Sequence, residues 1–388
     1  MNKLLLWLLA FLLCCCSTGC NVEHNDINEL SIVMGAVFEY LPEQQMYEVH
    51  AQVAKPSAFT KSQGGGGAEE GFIFYRGRGK SIMEAIREAN RKANYRLFWS
   101  HCDVYVVDRK LAQHGLFPFL DFMNRDNEIR ETANIFVTEV PAHDLLKMVD
   151  GNEKVPLMGL RKTARLGEQS TGSSFAVQMI DVLRDIVMRN SFALAPLVKG
   201  EVGIGEKEQQ KKFLLAGMAV FNKDKMVGTL TPAETRGYMF VKNKLENTVV
   251  VTRAHGRQMT LEVVKTTGKI IPQYQEGNLA IKVEIDAVFN YAEIDAPLDL
   301  TDLSLATEVE SALAEEIRKE ITAVVAKSQD LQVDFFDFAR DFQKAYPQMW
   351  KTLQKDWSRE VYPDTQIEVQ INATLLRSGL LIHTDIGG

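Results

Sequence analysis

The chain has 388 residues, and because single hydrophobic cores stop growing at about 250 to 300 residues, two or three folded units are expected. Hydrophobic residues make up 46% and charged residues 24%, a globular balance that excludes a polytopic membrane protein, a disordered chain and a fibrous repeat. With 44 basic against 51 acidic residues the formal charge is −7, so no basic field gathers a nucleic-acid backbone and no nucleic-acid partner is expected.

Residues 1–19 read as a lipoprotein signal peptide. Lys3 and the free amine supply a small positive region, Leu4 to Cys16 run apolar, and the small residues Ser17, Thr18 and Gly19 precede Cys20. The apolar run is too short for a permanent spanning helix. Small residues before the cysteine fit a signal-peptidase cleft, and the Cys20 thiol is the expected acceptor of a diacylglyceryl group. Ser17 departs from the leucine usual at that position. Of five cysteines, Cys14, Cys15, Cys16 and Cys20 lie in or at the end of this segment, which leaves Cys102 alone in the folded body and no intrachain disulfide to form. Cys102 reads as a small buried hydrophobe. No run of about 18 apolar residues follows Cys20, so the mature protein is expected to be anchored to a membrane with its bulk in water.

Met46 to Ala54 alternates Tyr47, Val49, Ala51 and Val53 with Glu48, His50 and Gln52, which predicts a strand with one wet face and His50 pointing outward. Gly64 to Gly67 lie in a predicted surface loop at 63–71. Gly79, Lys80 and Ser81 would end a phosphate-binding loop only if Phe74 were glycine, so that reading fails on spacing. Ser81, with Glu84 three residues on, predicts the cap of a helix over Ile82 to Trp99, with Arg87, Arg91, Lys92 and Arg96 on a solvated face. A strand at Cys102 to Val107, a short helix near Pro118 to Met123, a strand at Asn134 to Val140, a helix at Ala142 to Val149 and another at Ser173 to Arg189 follow. Alternating helix and strand argue for a mixed α/β domain over 21–199.

Residues 200–212 carry three glycines and a dense charge run with little to bury, and are the predicted linker. The region 213–388 then starts afresh, with 213–272 and 273–388 as candidate separate lobes. Strands are predicted at Leu214 to Phe221, Thr248 to Thr252, Thr260 to Val264 and Leu279 to Phe289. A long helix over Leu305 to Val325, a second over Phe335 to Trp357, and a final strand at Gln366 to Leu375 complete a strand-helix-helix-strand unit covering one face of a sheet. The fold class is therefore α+β, or mixed α/β, in two to three small lobes, each a β-sheet flanked by helices.

No residue set carries chemistry. Seven histidines lie no closer than thirteen residues apart, so no zinc motif and no metal site is expected. There is no Gly-x-Ser-x-Gly elbow, and His101 and Cys102 point to opposite faces of a strand. Asp330, Asp334, Asp337 and Asp341 alternate with phenylalanines and read as helix capping and solvation. The chain is expected to bind or assemble, without cofactor and without catalysis.

The ordered pattern resembles the Ger(x)C family, the lipoprotein C subunit of nutrient germinant receptors in endospore-forming bacteria. The resemblance rests on Cys20 followed by Ile27-Asn28-Glu29-Leu30, on Arg78-Gly79-Lys80-Ser81 before a helix and the segment His101 to Val107, and on Asn124-Arg125-Asp126. In the second half it rests on Gly217 to Gly237 (GMAVFNKDKMVGTLTPAETRG), on Val333-Asp334, on Tyr346-Pro347 with Trp350 and Trp357, and on a last strand ending near Gly379. Asn21-Val22 stands where members often have Trp-Asp. The resemblance implies a lipid-anchored protein on the outer face of the spore inner membrane, partnered by two integral-membrane subunits, A-type and B-type. It transfers a role to Cys20 alone. Exposed parts of the sheet beginning at Leu214 and of the helix Phe335 to Trp357 are the expected docking surfaces. The competing reading is an exported solute-binding lipoprotein of a transport system.

Overall fold

In the computed structural model, which describes residues 29–55, 71–148, 155–189, 191–202, 211–275, 278–295 and 302–376, the chain opens with a strand that the sequence reading passed over. This is β1 (Leu30–Leu41), in which Ala36 and Phe38 face one side and Val37 the other, all fully buried. It is central because both faces are covered, and such strands read as continuous apolar runs rather than as alternation. β2 (Met46–Ala54) and β3 (Phe72–Gly79) extend it antiparallel on one side.

Next comes α1 (Ile82–Asn90), whose N-cap Ser81 accepts a hydrogen bond from the Glu84 amide at 3.2 Å. The helix stops nine residues short of the predicted end. Leu97 and Trp99 are buried not by helix continuation but because β4 (Arg96–Phe98) turns back to pair with β1, and the Asn90 side chain accepts the Leu97 amide at 3.0 Å to close that turn. β5 (Val104–Asp108), α3 (Phe117–Arg125) and β6 (Asn134–Thr138) follow close to expectation, whereas α2 (Arg109–His114), capped by Asp108, was not predicted and α4 (Ala142–Leu145) is only half as long as expected. α5 (Pro156–Ser170) was not predicted. The helix expected from Ser173 begins only at Met179, as α6 (Met179–Val182), and runs into a π-helical turn at Leu183–Met188, because Asn134 and Gln178 form a β-bridge just before it.

β7 (Phe192–Val202) and β8 (Lys211–Asn222) then pair antiparallel along their length, and β9 (Lys225–Leu230) pairs with β8. The resulting sheet has the order β3-β2-β1-β5-β6-β7-β8-β9, with β4 beside β1. Its β1, β5, β6 and β7 neighbours are parallel. One face packs on α1, α2, α3 and the π-helical turn. The other packs Val37, Val104, Val106 and Phe136 against Leu145, Leu157 and Leu160 of α4 and α5. The predicted linker is therefore corrected: 203–210 lie outside the described residues, but both flanks belong to one antiparallel ladder, so the sheet runs across the expected boundary.

α7 (Pro232–Val241) starts with a full capping box, in which Thr231 accepts from the Glu234 amide and the Glu234 side chain accepts from the Thr231 amide. A second sheet, in the order β10-β11-β12-β13, consists of β10 (Val249–Ala254), β11 (Arg257–Gln275), β12 (Asn278–Ile294) and β13 (Gln366–Leu375). The candidate split at 272/273 falls inside β11, which pairs with β12 from Met259 to Gln275, so these residues are one lobe. Between β12 and β13 lie α8 (Leu303–Asp330), α9 (Phe338–Ala345) and α10 (Pro347–Leu353). The inward residues Leu305, Val309, Leu313, Ile317, Ile321 and Val324 of α8 pack on the sheet residues Ile281, Val283 and Ile285 as the sequence spacing requires.

The predicted helix Phe335 to Trp357 is broken. Asp337 takes a left-handed backbone (φ 62°) just before α9, Pro347 begins α10, and a π-helical turn spans Trp357–Val361. Two glycines permit close backbone approaches, one within the first sheet and one between helices. Gly217 has φ +98° and sits so close to the Leu230 carbonyl that an added Cβ would lie 1.9 Å from it. Gly237 lets α7 approach α8, since a Cβ there would lie 2.6 Å from the Glu320 carbonyl oxygen.

Candidate functional site

Cys20, the residue with a predicted role, lies outside the described residues, as does the glycine run at Gly64. Cys102 is fully buried, donates to the Val104 carbonyl at 3.5 Å, and burial pushes its thiol up to about 12, which makes it unreactive at neutral pH. Lys80 and Ser81 serve the start of α1: the Glu84 carboxylate accepts the Lys80 amide at 2.7 Å.

The acidic set in the second half separates by role. Asp334 is buried and accepts from the Phe338 amide at 3.0 Å, the Ala339 amide at 2.7 Å and the Trp357 indole at 3.0 Å. It satisfies the opening of α9, the capping role read from the sequence. Burial pushes its carboxyl up to about 6 in spite of those three donors. Around it Phe335, Phe336, Phe338 and Phe342 are all fully buried, with Phe336 and Phe338 stacked at 5.0 Å. The aromatic rings near the start of Phe335 to Trp357 form core, and the exposed part of that segment is confined to residues such as Gln343, Lys344, Gln348 and Lys351. Leu214 on β8 does reach the surface, at 41% exposure.

Beside this aromatic group a cleft of about 420 Å³ opens between the far end of the first sheet and the segment following α8. Phe192, Lys223, Gln332, Asp337, Trp357 and Arg359 are among its walls. Lys223, Gln332 and Asp337 all hold left-handed backbone, at φ 56°, 54° and 62°. Such conformations cost about 1–3 kcal/mol each and persist where the surroundings over-determine them.

The first sheet holds a charge cluster that the sequence reading missed. His50 was expected to face water, but it is 4% exposed, because β2 lies between β1 and β3 and its polar side is roofed by α4 and the start of α5. His50 Nε2 lies 3.0 Å from Glu39 Oε2 and 2.9 Å from Glu48 Oε1. The remaining oxygens are held as well: Glu39 Oε1 accepts the Ala142 amide at 3.0 Å, and Glu48 Oε2 accepts from Arg78 Nε. Gln52, the next residue on this face, accepts the Leu157 amide at 3.1 Å. Burial raises the Glu48 carboxyl, but the hydrogen bonds and charges of His50 and Arg78 outweigh it and hold the group at about 2. Burial likewise pulls His50 down, and its bonds to Glu39 and Glu48 outweigh this and raise it above its ordinary value. The signal was Glu39, which sits directly opposite Glu48 once β1 is recognised as a strand.

The comparisons with known proteins cover both halves. Residues 23–199 match the model described as "Spore germination protein N-terminal domain", and residues 216–379 match "Spore germination B3/ GerAC like, C-terminal". The two matches meet on either side of the β7–β8 hairpin. Among curated proteins, the chain is 27% identical to spore germination protein KC of Bacillus subtilis (strain 168), covering 98% of this chain and 97% of that one. It is 22% identical to spore germination protein B3 of the same organism, covering 92% and 93%. The crystal structure of the GerBC protein superposes with a TM-score of 0.58 at 17% identity, over 90% of this chain and all of that one, which establishes the shared α+β fold. With both models matched in order, and with relatives aligned nearly end to end, the chain belongs to the GerAC-like family of spore germination proteins.

Proposed function

We propose that this chain is the lipoprotein subunit of a nutrient germinant receptor, required for spores to germinate in response to nutrients. It is held by acylated Cys20 on the outer face of the spore inner membrane, and acts by assembly with A-type and B-type membrane subunits rather than by catalysis. The observation that carries this reading is the ordered match of both family models across 23–199 and 216–379.

Several features support it. The small residues Ser17, Thr18 and Gly19 before Cys20 suit lipid transfer and cleavage. Among the described residues no helix is long and apolar enough to cross a membrane, so attachment falls to the acyl group and to partners. A single acyl chain binds marginally, whereas the two chains of a diacylglyceryl group anchor stably at about 0.8 kcal/mol per buried methylene. The exposed parts of the strand pair beginning at Leu214 and of Phe335 to Trp357, the latter at Gln343, Lys344, Gln348 and Lys351, are the docking surfaces of this reading.

The test is dipicolinic acid release from spores carrying Cys20→Ala or a deletion of the gene. The nutrient response is lost and the response to a non-nutrient trigger is kept. A normal nutrient response in the deletion strain, with no second receptor present, would refute the assignment.

A further inference from the structure

Glu39, Glu48 and His50 bring three metal-ligating atoms within 4.8 Å of one another, from two adjacent strands. Each carboxylate offers one oxygen to the centre, Glu48 Oε1 and Glu39 Oε2, while its other oxygen is oriented from outside, by Arg78 Nε and by the Ala142 amide. For the two carboxylates that is the arrangement in which outer donors fix first ligands at metal centres, while His50 Nδ1 is buried without a hydrogen-bond partner. His50 Nε2 faces both oxygens, at 2.9 Å from Glu48 and 3.0 Å from Glu39. A tetrahedral ion bonded at about 2.0–2.2 Å separates its ligands by roughly 3.4 Å, so each carboxylate oxygen needs to move from His50 Nε2 by only about half an ångström.

We propose that this cluster binds one divalent transition-metal ion, zinc being the best fit, through Glu39, Glu48 and His50, with water at the fourth position. Two carboxylates and one imidazole suit a borderline ion better than calcium or magnesium, which take oxygen ligands. The expectation of no metal site rested on the spacing of histidines and did not count cross-strand carboxylates. Protonation sets the condition. Imidazole binds a metal only through a bare nitrogen and carboxylates only when ionised, so any proton on Nε2 must leave to solvent as the ion enters. Arg76, about half exposed and 3.8 Å from the ligand oxygen Glu48 Oε1, can turn toward water as the ion enters, while Arg78 stays on Glu48 Oε2. Binding therefore competes with protons and strengthens as pH rises.

The test is titration of the purified full-length chain with Zn²⁺ by calorimetry at pH 6 and pH 8, in two buffers of different ionisation heat, with the visible spectrum of Co²⁺ as a second readout. One equivalent binds at pH 8, binding is at least tenfold weaker at pH 6, and Co²⁺ gives a tetrahedral spectrum. His50→Ala and Glu39→Gln each weaken binding at least tenfold. Glu39→Gln keeps side-chain volume and decides the matter if His50→Ala does not fold, with circular dichroism as the check. Absence of a saturable single equivalent at pH 8 overturns the proposal. So does undiminished binding in Glu39→Gln, which would place the ion elsewhere in the chain.

Discussion

The indole nitrogen of Trp357 donates to the carboxylate of Asp334 at 3.0 Å, tying the π-helical turn after α10 to the residue that caps α9. Both are buried, and the same carboxylate serves two backbone amides, so it ends up with three donors in an aromatic surround. Removing it by Asp334→Ala leaves three buried N–H groups unpaired. Unfolding free energy falls by about 3 kcal/mol, and Trp357→Phe costs about 1–2 kcal/mol. Urea denaturation of the single and double variants checks this; strictly additive losses would show that the pair is not coupled.

Stability varies with pH in three windows. Glu48 is held at about 2 against an ordinary 4.5, so its contribution is complete above 4.5 and is lost as pH falls toward about 2. Asp334 moves the other way, from 3.8 up to about 6: the folded state holds the proton more tightly, so stability falls as pH rises between those values. His50, raised above 6.5, stabilises fully below that value and loses its contribution as pH rises through its folded pKa. Melting temperature measured in metal-free buffer from pH 3 to 9 should show these slopes. His50→Gln should flatten the alkaline one and Asp334→Asn the one between about pH 4 and 6.

Gly237→Ala and Gly217→Ala test the joints between parts. The first drives a methyl into the Glu320 carbonyl next to the Arg236–Glu320 ion pair and forces α7 from α8; the second is strained in φ as well. Each should cost about 2 kcal/mol or more in denaturant unfolding. Unchanged midpoints would mean that both contacts relax freely.

Leu214→Asp changes an exposed residue, so it should leave the melting temperature within about 2 °C. If β8 docks on a membrane subunit, the same substitution lowers co-purification of receptor subunits from spore membranes at least several-fold. Full recovery would remove this surface from the proposed assembly.

The helix of Leu305 to Val325 and the strand of Gln366 to Leu375 were legible because each keeps one apolar face over many residues. β1 was not, since both its faces are buried and alternation disappears. His50 was misread for a related reason: a period of two in a central strand marks two different neighbours rather than core and water. The break at Asp337 is a left-handed residue that apolar spacing does not reveal. The block from Gly217 to Gly237 was legible as a family pattern and now has a physical reading, in which Gly217 fits β8 against β9, Thr231 and Glu234 cap α7, and Gly237 seats α7 on α8.

The hairpin of β7 and β8 makes the two family-matched segments mechanically one body. A chain ending at residue 199 would leave β7 with a bare row of amides and carbonyls where Ala193, Ala195 and Val198 now meet Phe221, Ala219 and Leu215. The halves are thus zipped rather than tethered, and a pull exerted by a partner on β8 or β9 loads the ladder that also carries β1.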